Sequence, residues 1–253
     1  MNKRVYILTA VISYLVLLIA TIPASTISSI INDNSPIKIQ GINGTLWHGE
    51  ALTVSINNSI RLQATEWSFT AWKLLIGQIA IDVETKYLNN NINSEIGTSF
   101  LGQYFINDLS ATIHAKDLAQ IAAIPLAQLS GLISLNIEHA QWRQGELPLA
   151  TGEISWKDAA ITVAETASLG NISILLTESD QQLLNAEIKN QGGDIKISGS
   201  AELVPESDYA VNIKLTPTAS ANNNIKQSLG LFAQRQRNGD YVLKKSGSLK
   251  QIM

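Results

Sequence analysis

The side chains that most often carry out chemistry are sparse in this chain, and their spacing does not group them. His48, His114 and His139 are far apart and lack the short spacing that lets histidines share a metal ion. The absence of cysteine excludes thiolate metal sites, cysteine nucleophiles and disulfides. Carboxylates are scattered, and no nucleophile elbow, phosphate-binding glycine loop or dinucleotide motif occurs. The sequence therefore predicts no catalytic, cofactor-binding or metal-binding residue, and we expect that the protein is not an enzyme.

Tryptophans are the most distinctive side chains. All of them lie near predicted turns, where a large ring with one N–H group closes a core or contacts a partner. They are Trp47, Trp67, Trp72, Trp142 and Trp156. We expect core packing for most of these rings, and we take Trp67 and Trp156 as candidate interaction residues.

The charge of the chain gives a second candidate surface. A formal net charge of -3 and a pI of about 5.6 give no general attraction to nucleic acid. Residues 226–253 are locally basic, however, and Asp240 is their only acidic residue. The candidate contacts with anionic lipid headgroups or an acidic partner are Arg235, Arg237, Lys244 and Lys245. A solvated hairpin is the simpler interpretation of this segment.

An N-terminal apolar segment is predicted to place the rest of the chain relative to a membrane. Lys3 and Arg4 precede it, no charged residue follows until Asp33, and residues 5–22 are almost wholly aliphatic. A helix of that length rises about 27 Å, close to the roughly 30 Å hydrocarbon thickness of a bilayer. We therefore expect one transmembrane helix over residues 5–22. A cleaved signal peptide is the alternative, although the small-residue cleavage pattern around Ala24 is poor.

The flanking charges predict the orientation of that helix. Cations stand only on its N-terminal side, so residues 1–4 are expected in the cytoplasm and the bulk of the chain in the periplasm. The resulting division has a linker over residues 23–36 and a β domain over residues 37–253. The predicted location is thus the inner membrane, with a single pass.

From Ile37 onward, apolar and polar residues mostly alternate, which is typical of half-buried strands. About ten strands are predicted, and their short connections favour a curved antiparallel sheet. Two or three short helices are expected, over Ala71–Ile76, Asp117–Ile124 (N-capped by Asp117) and Ile225–Ala233. Tryptophan-marked turns occur twice in each half of the domain, which suggests two similar halves that meet near residues 125–131.

One segment resembles a family signature. The run Gly41-Ile42-Asn43-Gly44-Thr45-Leu46-Trp47-His48-Gly49-Glu50-Ala51 is similar to the G-x-x-G-T-L-W-x-G-x-A pattern of the type II secretion system protein N family. The signature residues are Gly41, Gly44, Thr45, Leu46, Trp47 and Gly49. The resemblance extends to Thr21-Ile22-Pro23-Ala24, to Leu74-Leu75-Ile76-Gly77 and to Gly152–Trp156.

This resemblance implies an accessory inner-membrane component of the general secretory pathway of Gram-negative bacteria. Its expected role is structural, in assembly or bridging, and its expected partners are the inner-membrane platform and the outer-membrane secretin. The family offers no catalytic residues to carry over. Within this interpretation, the signature glycines permit a tight bend and Trp47 fills the corner.

Two other hypotheses are consistent with the sequence. A strongly curved sheet with one apolar face would cradle acyl chains, as in the AsmA-like envelope proteins, and would make the protein a phospholipid-handling module. The strands of such a module have the same half-apolar pattern. A periplasmic hydrolase with an unrecognised site is the least favoured hypothesis.

Overall fold

A computed structural model of the chain describes residues 3–26, 35–57, 60–121, 128–162, 165–179, 183–203 and 209–247. The described residues are mainly β, with antiparallel strands and a few short helices. This confirms the predicted fold class apart from its membrane helix. The chain divides into two compact units, Met1–Asn93 and Ser94–Met253.

The first unit joins an N-terminal helix to an antiparallel meander. Its elements are α1 (Lys3–Ala20), β1 (Ile37–Gly44), β2 (His48–Ile56), β3 (Ile60–Phe69), a 3-10 helix (Ala71–Ile76) and β4 (Gln78–Tyr87). Each strand pairs with the next one along the chain. Strand β5 (Asn90–Ser99) contains the division between the units.

Small side chains form the buried face of this meander. Ala51, Thr65, Ala80 and Thr85 are buried, and the two threonine hydroxyls lie 2.7 Å apart. The hydrogen bond between these hydroxyls, together with one that the Thr85 hydroxyl donates to the Gln63 carbonyl at 3.3 Å, satisfies both buried hydroxyls. The strands predicted for this region are confirmed, but the predicted inward face is not: Leu52 and Ile79 are 69% and 46% exposed, and small residues together with Tyr87 are buried instead.

The N-terminal helix differs from its prediction. Within the residues that the structure describes, no helix combines the length and the apolarity needed to cross a membrane. The predicted transmembrane span over residues 5–22 is therefore not confirmed: the helix that forms includes the cations Lys3 and Arg4 and ends at Ala20. Its large apolar side chains are exposed, from 48% at Ile19 to 65% at Tyr14.

The second unit is a longer meander with a helix packed on it. Its elements are β6 (Gln103–His114), α2 (Ala115–Ile121), β7 (Gln128–Arg143), β8 (Leu149–Thr162), β9 (Thr166–Glu178), β10 (Leu184–Gln191), β11 (Ile195–Glu202), β12 (Tyr209–Pro217), α3 (Asn223–Phe232), β13 (Gln234–Arg235) and β14 (Tyr241–Gly247). Strands β6 to β12 follow chain order, and β14 then lies between β12 and β13.

A compact apolar cluster holds α3 against the strands of this unit. Its buried members are Ala159, Leu169, Ile172, Ile195, Ile197, Ala221 and Ile225. The helix begins where the Asn222 side chain accepts a hydrogen bond from the Ile225 N–H group at 2.8 Å. Such an N-cap satisfies one of the donors that a helix start leaves free.

Several predicted boundaries need correction. The 3-10 helix occupies the predicted residues, but α3 begins two residues before its prediction because Asn222 caps it. Helix α2 begins at Ala115, so Asp117 lies in its first turn instead of at the N-cap. Residues 122–124 of that predicted helix lie outside the described residues, as do residues 125–127 of the predicted boundary, and the boundary between two halves stays a prediction.

Candidate functional site

The chain that leaves α1 lies directly on the turn between β1 and β2. The Ala24 N–H group donates to the Gly44 carbonyl at 3.0 Å, and the Leu46 N–H group donates to the Ile22 carbonyl at 3.0 Å. Between these bonds, Pro23 and Thr45 form an isolated antiparallel bridge, and Ala24 is completely buried. We call this contact between residues 19–24 and residues 44–49 the junction.

Trp47 ties the junction to the end of the helix. Its indole N–H group donates to the Ile19 carbonyl at 2.7 Å. The same carbonyl accepts from the Ile22 N–H group at 3.3 Å, so the indole adds a second and shorter bond at the end of the helix. The Trp47 ring also meets the Phe69 ring edge-on, with centroids 4.8 Å apart, and the Phe69 N–H group donates to the Trp47 carbonyl at 2.7 Å. One residue therefore joins α1 to the end of β3.

Two signature glycines allow the close packing of the β1–β2 turn that the junction requires. Gly44 has a φ of +88°, and a Cβ atom there would lie 2.6 Å from the His48 carbonyl oxygen. Gly49 is buried, and a Cβ atom there would lie 2.4 Å from Cζ2 of Trp67. Any larger residue at these positions would displace backbone or an indole ring.

Thr45 and Leu46 complete the turn through backbone contacts. The Thr45 hydroxyl accepts from the His48 N–H group at 3.1 Å and lies 3.2 Å from the His48 carbonyl oxygen. The Leu46 carbonyl accepts from the Trp67 indole at 3.2 Å. Gly41, the first signature residue, has a φ of +68° and lies against the Leu52 side chain. The six signature residues thus occupy one continuous corner of the first unit.

The tryptophans proposed for interaction both bond to backbone. Trp67 donates to Leu46, as above, and Trp156 donates to the Ser130 carbonyl at 2.8 Å while it packs against the core cluster of the second unit. Both indole N–H groups are engaged within their own unit. An additional contact with a partner stays a prediction for either ring.

The four basic candidates are exposed at the end of the second unit. Arg235 pairs with Tyr241 in the short strand β13, whereas Lys244 and Lys245 lie on the part of β14 beyond that pairing. Lysines on an exposed strand edge also discourage pairing with other chains. Their proposed contact with anionic groups stays a prediction.

Asp240, the acidic residue among these cations, is already engaged. Its carboxylate accepts from Lys214 Nζ, from the Thr216 hydroxyl and from Asn238 Nδ2, each at 2.7 Å. Chiefly the hydrogen bond from Lys214, with help from Thr216, holds the pKa of this carboxyl below its usual value. The carboxylate therefore stays ionised and stabilises β12 against β14.

The side chains that could take part in chemistry, the histidines and carboxylates, remain dispersed in the residues that the structure describes. His139 Nδ1 lies 2.6 Å from Asn107 Oδ1 in a surface hydrogen-bond network. No group of three metal-capable side chains occurs in the part of the chain that the structure describes. His48 is the one titratable side chain of the junction, and no second one accompanies it there. The junction thus offers positioning and no group of reacting residues.

Sequence reasoning missed the partners of Trp47. Ile19 and Ile22 contribute only carbonyl oxygens, and Phe69 contributes its ring and its N–H group. A backbone carbonyl is present at every residue, so the residue type does not show which carbonyl Trp47 binds. The spacing of Trp67 and Phe69, two residues apart on one face of a strand, is the sequence feature that could have indicated an aromatic partner for Trp47.

Comparison with known proteins gives a consistent result. The family model described as Type II secretion system (T2SS), protein N, matches residues 35–244. The chain is 24% identical over 246 residues to the Type II secretion system protein N of Aeromonas hydrophila, covering 94% of this chain and 95% of that protein. It is 21% identical over 224 residues to the protein of the same name from Vibrio cholerae serotype O1, covering 84% and 85%. No solved structure gives a significant match.

A matched pair of glycine substitutions tests the junction. Gly49→Ala places a Cβ atom 2.4 Å from the Trp67 ring, and we expect a loss of about 1–3 kcal/mol in the free energy of unfolding. Gly230→Ala makes the same chemical change in α3, where the Cβ atom meets nothing closer than 4.0 Å, and we expect a gain of roughly 0.5–1 kcal/mol. Urea unfolding of the full chain, followed by tryptophan fluorescence, measures both. Equal stability of the two variants would contradict this account of the corner.

Proposed function

The chain belongs to the type II secretion system protein N family, and on that premise we propose that it is an inner-membrane-anchored, periplasmic structural component of the type II secretion pathway. Its role is in assembly, and its partners are other components of the system, the inner-membrane platform and the secretin. The observation that carries this proposal is the junction. It fixes an exposed apolar helix to a β unit through several hydrogen bonds.

The exposed side chains of α1 support the membrane part of the proposal. A helix with apolar residues on all sides, such as Ile7 at 64% and Leu17 at 63% exposure, needs an apolar environment around it. Lys3 and Arg4 precede these residues in the sequence, so the positive-inside tendency favours a cytoplasmic N-terminus and a periplasmic β domain. We propose a single pass on these grounds.

The bonds of the junction support a structural role. A flexible tether would need no contact between the anchor and the first strands, because a linker alone holds two bodies together. Here Ile19, Ile22 and Ala24 bond to the β1–β2 turn, so the helix and the first unit have a fixed relation. A fixed orientation relative to the membrane is useful to a protein that presents strand edges or loops to partners.

Single cysteines provide a direct test of topology, because the chain has none of its own. We expect a membrane-impermeant maleimide to label Leu88→Cys in cells with a permeabilised outer membrane, and to label Asn2→Cys only after the inner membrane is broken. Leu88 is suitable because its side chain is 54% exposed. Labelling of Asn2→Cys in intact spheroplasts would contradict the orientation. A mature chain that lacks residue 2 would indicate a cleaved signal peptide.

Export of a type II substrate tests the role in the pathway. We expect deletion of the gene, in a strain without a substitute component, to leave the substrate in the periplasm. The wild-type chain should restore export, and Trp47→Phe should restore less of it because the bond to Ile19 is lost. Trp142→Phe is the matched control, since its ring can still stack on Tyr104. Unchanged export after deletion would contradict a required role.

A groove in the second unit favours one alternative function, phospholipid handling. The space between α3 and the strands has a volume of about 630 Å³, within the range of ligand sites. Its apolar lining includes Ile161, Ala167, Leu169, Ile195 and Leu229. Leu231 and Phe232 stand at its rim with 80% and 68% exposure. Glu165, Asn224, Gln227 and Ser228 also line the groove, so an acyl chain would lie against its apolar part.

Photocrosslinking separates the two functions. We expect a benzoylphenylalanine at Leu229 to crosslink to phospholipid in cells if the groove holds an acyl chain, because Leu229 lines it. The control position is Leu175, a 46% exposed neighbour of the inward-packed Ile174 and therefore on the opposite face of β9. Equal lipid labelling at both positions, or none at Leu229, would rule out the lipid function.

A further inference from the structure

The 3-10 helix between β3 and β4 carries a patch that neither the fold nor the proposed function explains. Trp72, Leu74, Leu75 and Ile76 are 59%, 43%, 89% and 58% exposed. We call these four residues the apolar foot. Soluble proteins rarely leave large neighbouring apolar side chains in water without a function for them. The fold itself would tolerate polar residues here, so packing does not require this composition.

The apolar foot lies beside the exit of α1. Trp47 bonds to the Ile19 carbonyl in the last turn of α1 and packs against Phe69 at the end of β3. The 3-10 helix begins two residues after Phe69. The Thr70 N–H group donates to the Ala80 carbonyl at 3.0 Å, which fixes the base of the loop. The foot and the end of the apolar helix are therefore held at the same end of the β2–β3 hairpin.

The conformation of the loop keeps the side chains of the apolar foot exposed on the surface of the first unit. Gly77 adopts a φ of +75°, and its N–H group donates to the Leu74 carbonyl, which ends the 3-10 helix and turns the chain into β4. Such a left-handed cap is a common way to stop a helix. Six residues are too few to cross a bilayer, so a membrane contact here is an interfacial one.

The side chains suit the headgroup region of a bilayer. Tryptophan is enriched at membrane–water interfaces because its ring is apolar and its N–H group is polar. Lys73 Nζ lies 5.5 Å from the centre of the Trp72 ring, and Lys73 itself is buried, unlike the four exposed apolar residues. The contact with lipid therefore rests on the aromatic and aliphatic side chains. Leucine and isoleucine supply apolar area for the acyl boundary.

We propose that the apolar foot inserts into the periplasmic leaflet of the membrane that holds α1. This inference rests on the proposed anchoring by α1 and adds a second attachment point. A single helix leaves the attached domain free to tilt relative to the membrane plane. A second contact beside the junction limits that tilt and sets which side of the first unit lies nearest the membrane.

Fluorescence quenching in vesicles tests this inference with the full chain. Single cysteines at Leu75, Leu18 and Leu88 would carry an environment-sensitive NBD label, in vesicles of phosphatidylethanolamine and phosphatidylglycerol. A lipid with a nitroxide near its headgroup is the quencher. Leu18 reports the anchor, and Leu88 lies beyond the far end of β4, about 30 Å along the strand at 3.3 Å per residue.

We expect a blue-shifted emission and a loss of intensity for Leu75→Cys, and neither change for Leu88→Cys. Quenching at Leu18 without quenching at Leu75 would overturn the inference and leave the anchoring intact; this is the result if the foot binds a protein partner instead. Absence of quenching at both positions would overturn the anchoring and the inference together. Equal quenching at Leu75 and Leu88 would also overturn it, because the contact would then be unspecific.

A second measurement compares the membrane contact of Leu75→Asp with that of Leu88→Asp. Both variants carry the NBD label on a cysteine that replaces Trp72 (Trp72→Cys). We expect Leu75→Asp to abolish the blue shift at position 72, because a carboxylate in the leaflet is unfavourable, and Leu88→Asp to leave it unchanged. An unchanged shift in Leu75→Asp would contradict insertion of the foot. Urea unfolding of both variants checks that the fold is retained.

Discussion

The hydrogen bond from the Trp47 indole to the Ile19 carbonyl is the constraint on which the first unit depends. Helix ends leave carbonyls without partners, and a protein must satisfy or expose them. The Ile19 carbonyl accepts from the Ile22 N–H group at 3.3 Å, and the indole of a turn 28 positions along the chain adds a shorter bond of 2.7 Å. Gly44 and Gly49 must lack side chains for the turn to come close enough, and the Phe69 ring meets the Trp47 ring edge-on.

The stability of the two β units comes from many individually weak contacts. Alanines and threonines form much of the buried face of the first unit, and the clearest apolar cluster lies under α3 in the second. Backbone pairing along the strands therefore holds a large share of the structure together. Sheets of this kind leave half-exposed faces and edges, which suits a protein whose task is to contact other components. The same openness leaves space for the apolar groove beside Leu229.

The chain belongs to the type II secretion system protein N family. In the function that we propose, the corner residues and the exposed apolar residues form one arrangement: α1 for attachment, the junction for rigidity and the apolar foot for orientation. Each part of that proposal has a different physical basis, namely burial of aliphatic side chains, bonded geometry and interfacial partition of Trp72.

The sequence alone determined the β class, the hairpin from Leu52 to Ala64 and the 3-10 helix over Ala71–Ile76, because alternation and turn residues are local signals. It fell short in the strand count, with about ten predicted against fourteen in the described residues, since asparagines obscure the alternation in β5. It also identified the corner residues from their resemblance to a family signature. The tertiary structure alone decided what they contact: the oxygens of Ile19 and Ile22 belong to the backbone, which is the same at every residue, so only the folded chain shows that Trp47 reaches one of them.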